Sequence, residues 1–181
     1  METSKRVLTI PNILSLCRIA LIPVITWLYL NDYSLYAVYV LILSGVTDVV
    51  DGYIARHYDM ISDMGKILDP VADKLTQAIV LFCLTTKFQL MLLLLGLLVI
   101  KEVSLGILGL WAVNKTKVVK GANWHGKVTT ALLYFTMIVH IIWIEIPMTV
   151  SDLLTGACIA FMMLSFVLYL MRHIQQLHGN D

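Results

Sequence analysis

The chain has 181 residues, of which 59% are hydrophobic, 14% are charged and 9% are aromatic, and its formal net charge is +1. Soluble domains contain about 45–50% apolar residues, and the mean hydropathy here is +0.85. This composition excludes a soluble fold of this size, a disordered chain and a nucleic-acid-binding domain. It indicates a protein that crosses a membrane several times.

Six apolar stretches are long enough to cross about 30 Å of hydrocarbon, which takes roughly 20 residues of helix. Alternating strand patterning is absent from them, which favours helices over a barrel. Because these stretches use most of the chain, we predict an all-α integral membrane protein with a single domain over residues 1–181. It would be a bundle of six transmembrane helices at Ile13–Leu30, Ser34–Tyr53, Ile67–Leu84, Leu90–Val113, Val128–Ile146 and Leu153–Met171.

The basic residues predict an orientation for these spans. With six spans both termini share one side, and that side holds most of the lysines and arginines, from Lys5 to Arg172, whereas the other side holds Lys87. The positive-inside rule then predicts that both termini and the 114–127 loop are cytoplasmic. The outer loops are short, so we expect a functional site that faces the cytoplasm, with a bacterial inner membrane as the location.

Acidic residues cluster where a membrane protein should avoid them. Ionisable groups in or near spans are costly and usually functional. Asp48 and Asp51 are three residues apart near the end of the second stretch, and Asp69 and Asp73 are four apart near the start of the third. Each spacing places a pair on one helix face. A short connection makes the two helices antiparallel neighbours, so we expect the four carboxylates to converge.

Four converging carboxylates need positive compensation, and oxygen ligands suit hard divalent cations. Carboxylates shared between two helices suit a two-metal site. We therefore predict two divalent cations, Mg²⁺ or alternatively Mn²⁺, bound by Asp48, Asp51, Asp69 and Asp73. The alternative is that each aspartate is a helix cap or a solvated interfacial residue.

These residues form the pattern D-x2-D-G-x2-A-R-x8-G-x3-D-x3-D, which runs from Asp48 to Asp73. The pattern resembles the signature of the CDP-alcohol phosphotransferase family, and every fixed position is matched. The resemblance implies a homodimeric membrane enzyme that transfers a substituted phosphate from a CDP-linked donor to an alcohol and releases CMP. It also implies that Asp73 completes the metal site and acts as general base. The implied nucleotide-pocket residues are Gly52, Ala55, Arg56 and Gly65.

Three further stretches resemble one subgroup of the family, which uses CDP-diacylglycerol and glycerol-3-phosphate to make phosphatidylglycerol phosphate, and its CMP-forming cardiolipin synthase relatives. They are Ile10–Val24, Leu68–Lys74 and Gly126–Thr130. Lys101-Glu102 departs from the Arg-Glu that is more usual in that subgroup. A phosphate-bearing acceptor also needs cations, and the candidates are Arg18, Lys120 and Lys127. For Arg18 the alternative is an ion pair with a carboxylate, such as that of Glu102, or snorkelling.

Other functions stay open at this point. The same chemistry could use phosphatidylglycerol, inositol phosphate, serine or an amino-alcohol as acceptor. An ion or proton transporter is an alternative from another class, but it predicts acids spread through the depth of the membrane. An inactive scaffold predicts that motif residues are lost, and none is lost here. The expected partners are membrane lipid, CDP-diacylglycerol and a small hydroxyl acceptor, without nucleic acid.

Overall fold

The computed structural model describes residues 9–57, 65–116 and 124–178, and the regular structure within these ranges is helical. The predicted all-α fold is therefore confirmed. In chain order the helices of these ranges are α1 (Ile10–Leu30), α2 (Ser34–His57), α3 (Gly65–Leu84), α4 (Leu90–Thr116), α5 (Trp124–Ile142) and α6 (Met148–His178).

The chain divides after Cys83 into two compact units. The first unit contains α1, α2 and nearly all of α3, and within it α1 packs along α2. The second unit contains α4, α5 and α6, and within it α6 packs against both α4 and α5. A single domain over residues 1–181 stays a prediction.

The α1–α2 connection explains why these two helices are neighbours. The Thr9 side chain caps the start of α1 by accepting from the Asn12 backbone N–H at 3.4 Å, as hydroxyl residues commonly do at helix N-termini. At the other end Asn31 caps the helix, and Asp32 adopts a left-handed conformation with φ 64°. This reversal takes three residues, so the chain returns along α1 at once.

The α5–α6 connection corrects the predicted boundaries. The fifth span was predicted at Val128–Ile146, but α5 ends at Ile142 and a turn follows, in which the Ile146 N–H donates to the Trp143 carbonyl at 3.1 Å. Proline disfavours helical backbone at the residue before it, so Ile146, which precedes Pro147, lies outside both helices. The Pro147 carbonyl accepts from the Val150 and Ser151 N–H groups, which begins α6 earlier than the predicted Leu153.

Among the described residues, five helices are long and apolar enough to cross a membrane. They lie at Pro11–Leu30, Ser34–Asp51, Leu90–Leu108, Trp124–Ile142 and Met148–Arg172. α3 does not join them, because it carries Asp69, Asp73 and Lys74 in its first half. Large apolar side chains such as Leu153 are exposed outside the packed faces, as expected for contact with lipid. The protein is thus an integral membrane protein, and a membrane-spanning role for α3 stays a prediction.

A buried polar contact links α5 to α6. His140 is buried and its Nδ1 lies 2.7 Å from the Thr136 carbonyl, so this nitrogen carries the proton and donates. Its Nε2 then accepts from the Ser151 hydroxyl at 2.9 Å, and the Phe88 ring packs edge-on at 4.7 Å. Polar groups in hydrocarbon need such partners, so this histidine serves the packing of the second unit.

α5 and α6 come close together at Gly126. A Cβ added there would lie 2.6 Å from Tyr169 Oη and 3.3 Å from its Cε2. The neighbouring His125 ring packs edge-on against the Tyr169 ring at 4.6 Å, and its Nδ1 lies 3.1 Å from the Ser165 hydroxyl. A Cβ at Gly126 would therefore displace the Tyr169 hydroxyl, whose ring already packs against His125.

We predict that Gly126→Ala lowers the free energy of unfolding by about 1–3 kcal/mol, the usual cost of overpacking. The matched control is Gly156→Ala, because a Cβ at Gly156 meets nothing within 4 Å. Combining Gly126→Ala with Tyr169→Phe should recover part of the loss. Thermal unfolding in detergent measures all three, and equal melting temperatures for the two alanine variants would contradict the close contact.

Candidate functional site

A single guanidinium from α1 joins acids on two other helices. The Arg18 side chain is 2% exposed, its Nη1 pairs with Asp48, and its Nη2 lies 2.6 Å from Asp51 Oδ2. The same Nη2 lies 3.6 Å from Asp69 Oδ1. Asp48 and Asp51 lie on α2 and Asp69 lies on α3. One buried cation thus brings these three carboxylates to one place, as the sequence led us to expect.

Ser15 adds a second contact from α1. It is completely buried, its hydroxyl is hydrogen-bonded to Asp69 Oδ1, and its Oγ also lies 3.0 Å from the Pro11 carbonyl. Residues three apart on a helix share a face, so Ser15 and Arg18 contact the acids from the same side of α1. α1 therefore supplies both a neutral donor and a charged donor to the same site.

Asp73, the fourth acid, has its own neighbours on α3. The Gln77 Nε2 lies 3.0 Å from both Asp73 carboxylate oxygens, and Lys74 Nζ lies 3.6 Å from Asp73 Oδ2. Asp73 lies one turn after Asp69, on the same face of α3. Asp73 therefore belongs to the same acidic region, although Arg18 makes its ion pairs with the other three.

The acidic cluster of Asp48, Asp51, Asp69 and Asp73 has the donor chemistry of a site for hard cations. Among the described side chains, Arg18 and Lys74 are cations that contact these acids. Oxygen ligands of this kind suit Mg²⁺ or Mn²⁺. The Asp48 and Asp69 side chains are 44% and 32% exposed, so an ion can reach them, whereas the Asp51 side chain is 2% exposed.

Within the ranges given above, no group of three or more Asp, Glu, His or Cys side chains is already arranged to hold a metal ion. The physical reason is the guanidinium, because three of the acids direct an oxygen toward Arg18. The four aspartates fit a pair of divalent cations in charge and ligand type, and the two-metal centre stays a prediction.

The remaining predicted residues are placed only in part. Gly65 is buried and begins α3. Gly52, Ala55 and Arg56 follow Asp51 on α2, but the side chains at these positions lie outside the described residues, as does all of Lys120. Lys127 is exposed in the first turn of α5. The nucleotide and acceptor contacts of these residues therefore stay predictions.

The sequence did not single out two residues of this site. Ser15 and Gln77 are small or neutral, but their spacing offered a signal: Ser15 lies three residues before Arg18, and Gln77 lies four after Asp73. Arg18 itself was assigned to the acceptor, with an ion pair as the alternative. The ion pairs are present, but with the acids of the cluster. The alternative partner named from the sequence, Glu102, instead pairs with Lys101 at 3.2 Å.

The fold and the site define a helical membrane protein with an acidic cluster on α2 and α3, joined to α1 by a buried arginine. A model of the CDP-alcohol phosphatidyltransferase family matches residues 8–168. The chain therefore belongs to this family, as the motif from Asp48 to Asp73 predicted.

Curated relatives carry two kinds of name. Cardiolipin synthase (CMP-forming) of Streptomyces coelicolor is 49% identical over 76 residues, which are 39% of this chain and 35% of that protein. CDP-diacylglycerol–glycerol-3-phosphate 3-phosphatidyltransferase of Rickettsia bellii is 42% identical over 81 residues, 43% of this chain and 45% of that protein. The chloroplastic rice protein of that name is 39% identical over 101 residues, 56% of this chain and 31% of that protein. The chain thus aligns with less than half of each of these relatives.

We predict that Arg18→Met destabilises the protein by about 3–5 kcal/mol, because it leaves a buried carboxylate without its partner. The double variant Arg18→Met with Asp51→Asn should recover part of this loss, since it also removes the most buried charge. Thermal unfolding in detergent with EDTA gives the comparison. A single variant that melts with the wild-type protein would contradict the ion pairs as a source of stability.

Proposed function

We propose that this protein transfers the phosphatidyl group of CDP-diacylglycerol to the hydroxyl of glycerol-3-phosphate, releasing CMP and forming phosphatidylglycerol phosphate. The observation that carries the proposal is the acidic cluster on α2 and α3, because its four aspartates are the acids of the family motif. The similarity to the rice and Rickettsia proteins named for this reaction supports glycerol-3-phosphate as the acceptor.

In this proposal the acidic cluster would hold two Mg²⁺ or Mn²⁺ ions. They would neutralise charge on the donor pyrophosphate and polarise the bond that breaks. Asp73 accepts the proton of the acceptor hydroxyl as general base. The freed oxygen attacks the phosphorus of the phosphatidyl group, and the bond from that phosphorus to the CMP oxygen breaks. CMP leaves with the bonding electrons. Gly52, Ala55, Arg56 and Gly65 line the nucleotide side of the site.

We further propose that α3 also crosses the membrane, which brings the number of spans to six. Both termini would then face the cytoplasm of a bacterial cell. The excess of lysine and arginine on that side supports this orientation. α3 carries charge in its first half, which suits a span whose polar face meets protein rather than lipid. The diacylglycerol tails of the donor then stay in the bilayer while its headgroup reaches the acids. A homodimer is the proposed assembly.

The acceptor phosphate needs a cation, and the candidates differ in their exposure and in the partners that they already have. Arg18 is buried and already pairs with acids of the cluster. Lys127 is exposed at the start of α5. The proposed cations for the acceptor phosphate are Arg18, Lys120 and Lys127, and Arg18 would contribute its charge while its guanidinium pairs with the acids.

A second candidate uses phosphatidylglycerol as acceptor. It is favoured by the 49% identity to the Streptomyces protein named cardiolipin synthase (CMP-forming), which is higher than the identity to the Rickettsia protein. The chemistry at the acids is the same in both candidates, and the acceptor alone distinguishes them. A transporter is not favoured, because the four aspartates of the motif gather in one cluster instead of lying along a path.

The deciding experiment measures CMP release by the purified full chain in mixed micelles with CDP-diacylglycerol and Mg²⁺. The acceptors are glycerol-3-phosphate, phosphatidylglycerol, inositol phosphate, serine and none. We expect release with glycerol-3-phosphate, and loss of that release in EDTA. Release with phosphatidylglycerol alone would support the second candidate. No release with any acceptor would refute both.

We predict that Asp73→Asn lowers the rate of CMP release by at least about 100-fold, the lower end of what a general base contributes. The amide has nearly the same shape but cannot take the proton. The matched control is Asp152→Asn, since Asp152 is exposed on α6 and lies outside the acidic cluster. Full activity in the Asp73 variant would remove this residue from the reaction.

A further inference from the structure

Gln77 is a neutral polar side chain that is completely buried in α3, one turn after Asp73. A buried carboxamide is costly unless its polar atoms are hydrogen-bonded. Here both ends are used: Nε2 lies 3.0 Å from each carboxylate oxygen of Asp73, and Oε1 lies 3.5 Å from Lys74 Nζ. The location and the partners of this side chain therefore need an explanation.

The orientation of the Gln77 amide follows from its neighbours. A lysine ammonium only donates and an ionised carboxylate only accepts. The amide nitrogen must therefore face Asp73, and the amide oxygen must face Lys74. All three residues lie on α3, so this arrangement depends on one rigid helix and not on the packing of a loop.

We propose that Gln77 is a positioning residue for Asp73, an inference that rests on the function proposed above. One nitrogen that contacts both oxygens restricts rotation of the carboxylate about its Cβ–Cγ bond. A base acts efficiently only when it is held against the proton that it takes, and hydrogen bonds from behind commonly hold carboxylates in metal sites.

The neighbouring Thr76 provides a matched control. It is also buried in α3, at 1% exposure, but its hydroxyl donates to the Ala72 carbonyl of its own helix at 2.8 Å. Thr76→Val therefore removes a buried polar group from α3 without removing a contact to Asp73. An effect of general disturbance in α3 should appear in this variant as well.

The first test compares kcat and KM of the full chain at saturating Mg²⁺. Gln77→Met keeps a similar volume but has no donor. Gln77→Asn keeps the amide but is one methylene too short for its nitrogen to reach both Asp73 oxygens. We expect kcat to fall roughly 10- to 100-fold in both, as for other residues that orient metal-site ligands. KM for CDP-diacylglycerol and the kcat of Thr76→Val should stay close to the wild-type values.

The second test measures Mn²⁺ binding by electron paramagnetic resonance without substrate, so it does not depend on turnover. We expect weaker binding in Gln77→Met and Gln77→Asn than in Thr76→Val and the wild type, because the Asp73 carboxylate is no longer oriented. Melting temperatures and gel filtration identify a variant that has misfolded, and the other Gln77 variant then decides.

The outcomes separate the two proposals. Wild-type protein that binds Mn²⁺ but releases no CMP with any acceptor refutes the proposed function, and the Mn²⁺ comparison still decides the role of Gln77. Active wild-type protein with an unchanged kcat in Gln77→Met overturns the positioning role alone. Equal losses in Thr76→Val and Gln77→Met overturn it too. Wild-type protein that neither binds Mn²⁺ nor releases CMP overturns both.

Discussion

An ionised carboxylate away from water costs several kcal/mol unless an opposite charge lies beside it. Asp51 is 2% exposed, and Arg18, equally buried, lies 2.6 Å from it. Either charge without the other would carry that cost, so α1 packs along α2 in the register that brings the two groups together. Asp69 on α3 pairs with the same guanidinium, and the Ser15 hydroxyl on α1 donates a hydrogen bond to Asp69. The arrangement of the first unit thus follows from the need to neutralise its acids.

The two units solve the problem of burying polar groups differently. In the second unit a neutral histidine, His140, connects α5 to α6 through hydrogen bonds that leave no net charge. In the first unit four carboxylates lie in one acidic cluster, and the buried Arg18 pairs with three of them. A group of carboxylates has no value for packing, whereas carboxylate oxygens are the ligands that a divalent cation needs. This contrast supports a structural role for the polar groups around His140 and a chemical role for the acids.

Much of this could be predicted from the sequence, because the signals are local. Hydropathy locates the helices, and the spacings of Asp48, Asp51, Asp69 and Asp73 predict a shared acidic region. The predicted end of the fifth span was wrong, since apolar composition continues through the turn that follows Ile142. The partners of Arg18 were missed because they depend on which helices pack together. Family resemblance named the acids, but neither it nor hydropathy marks Gln77, whose significance is its contact with Asp73.

The order of the charged residues along the chain has a consequence for membrane insertion. Arg18 comes first, Asp48 and Asp51 follow on the next helix, and Asp69 comes last among its partners. Synthesis proceeds from the N-terminus, so the counter-ion enters the bilayer region before the acids that it neutralises. The acids of α2 and then of α3 therefore meet a partner of opposite charge on arrival. A chain in the reverse order would have to insert its acids without such a partner.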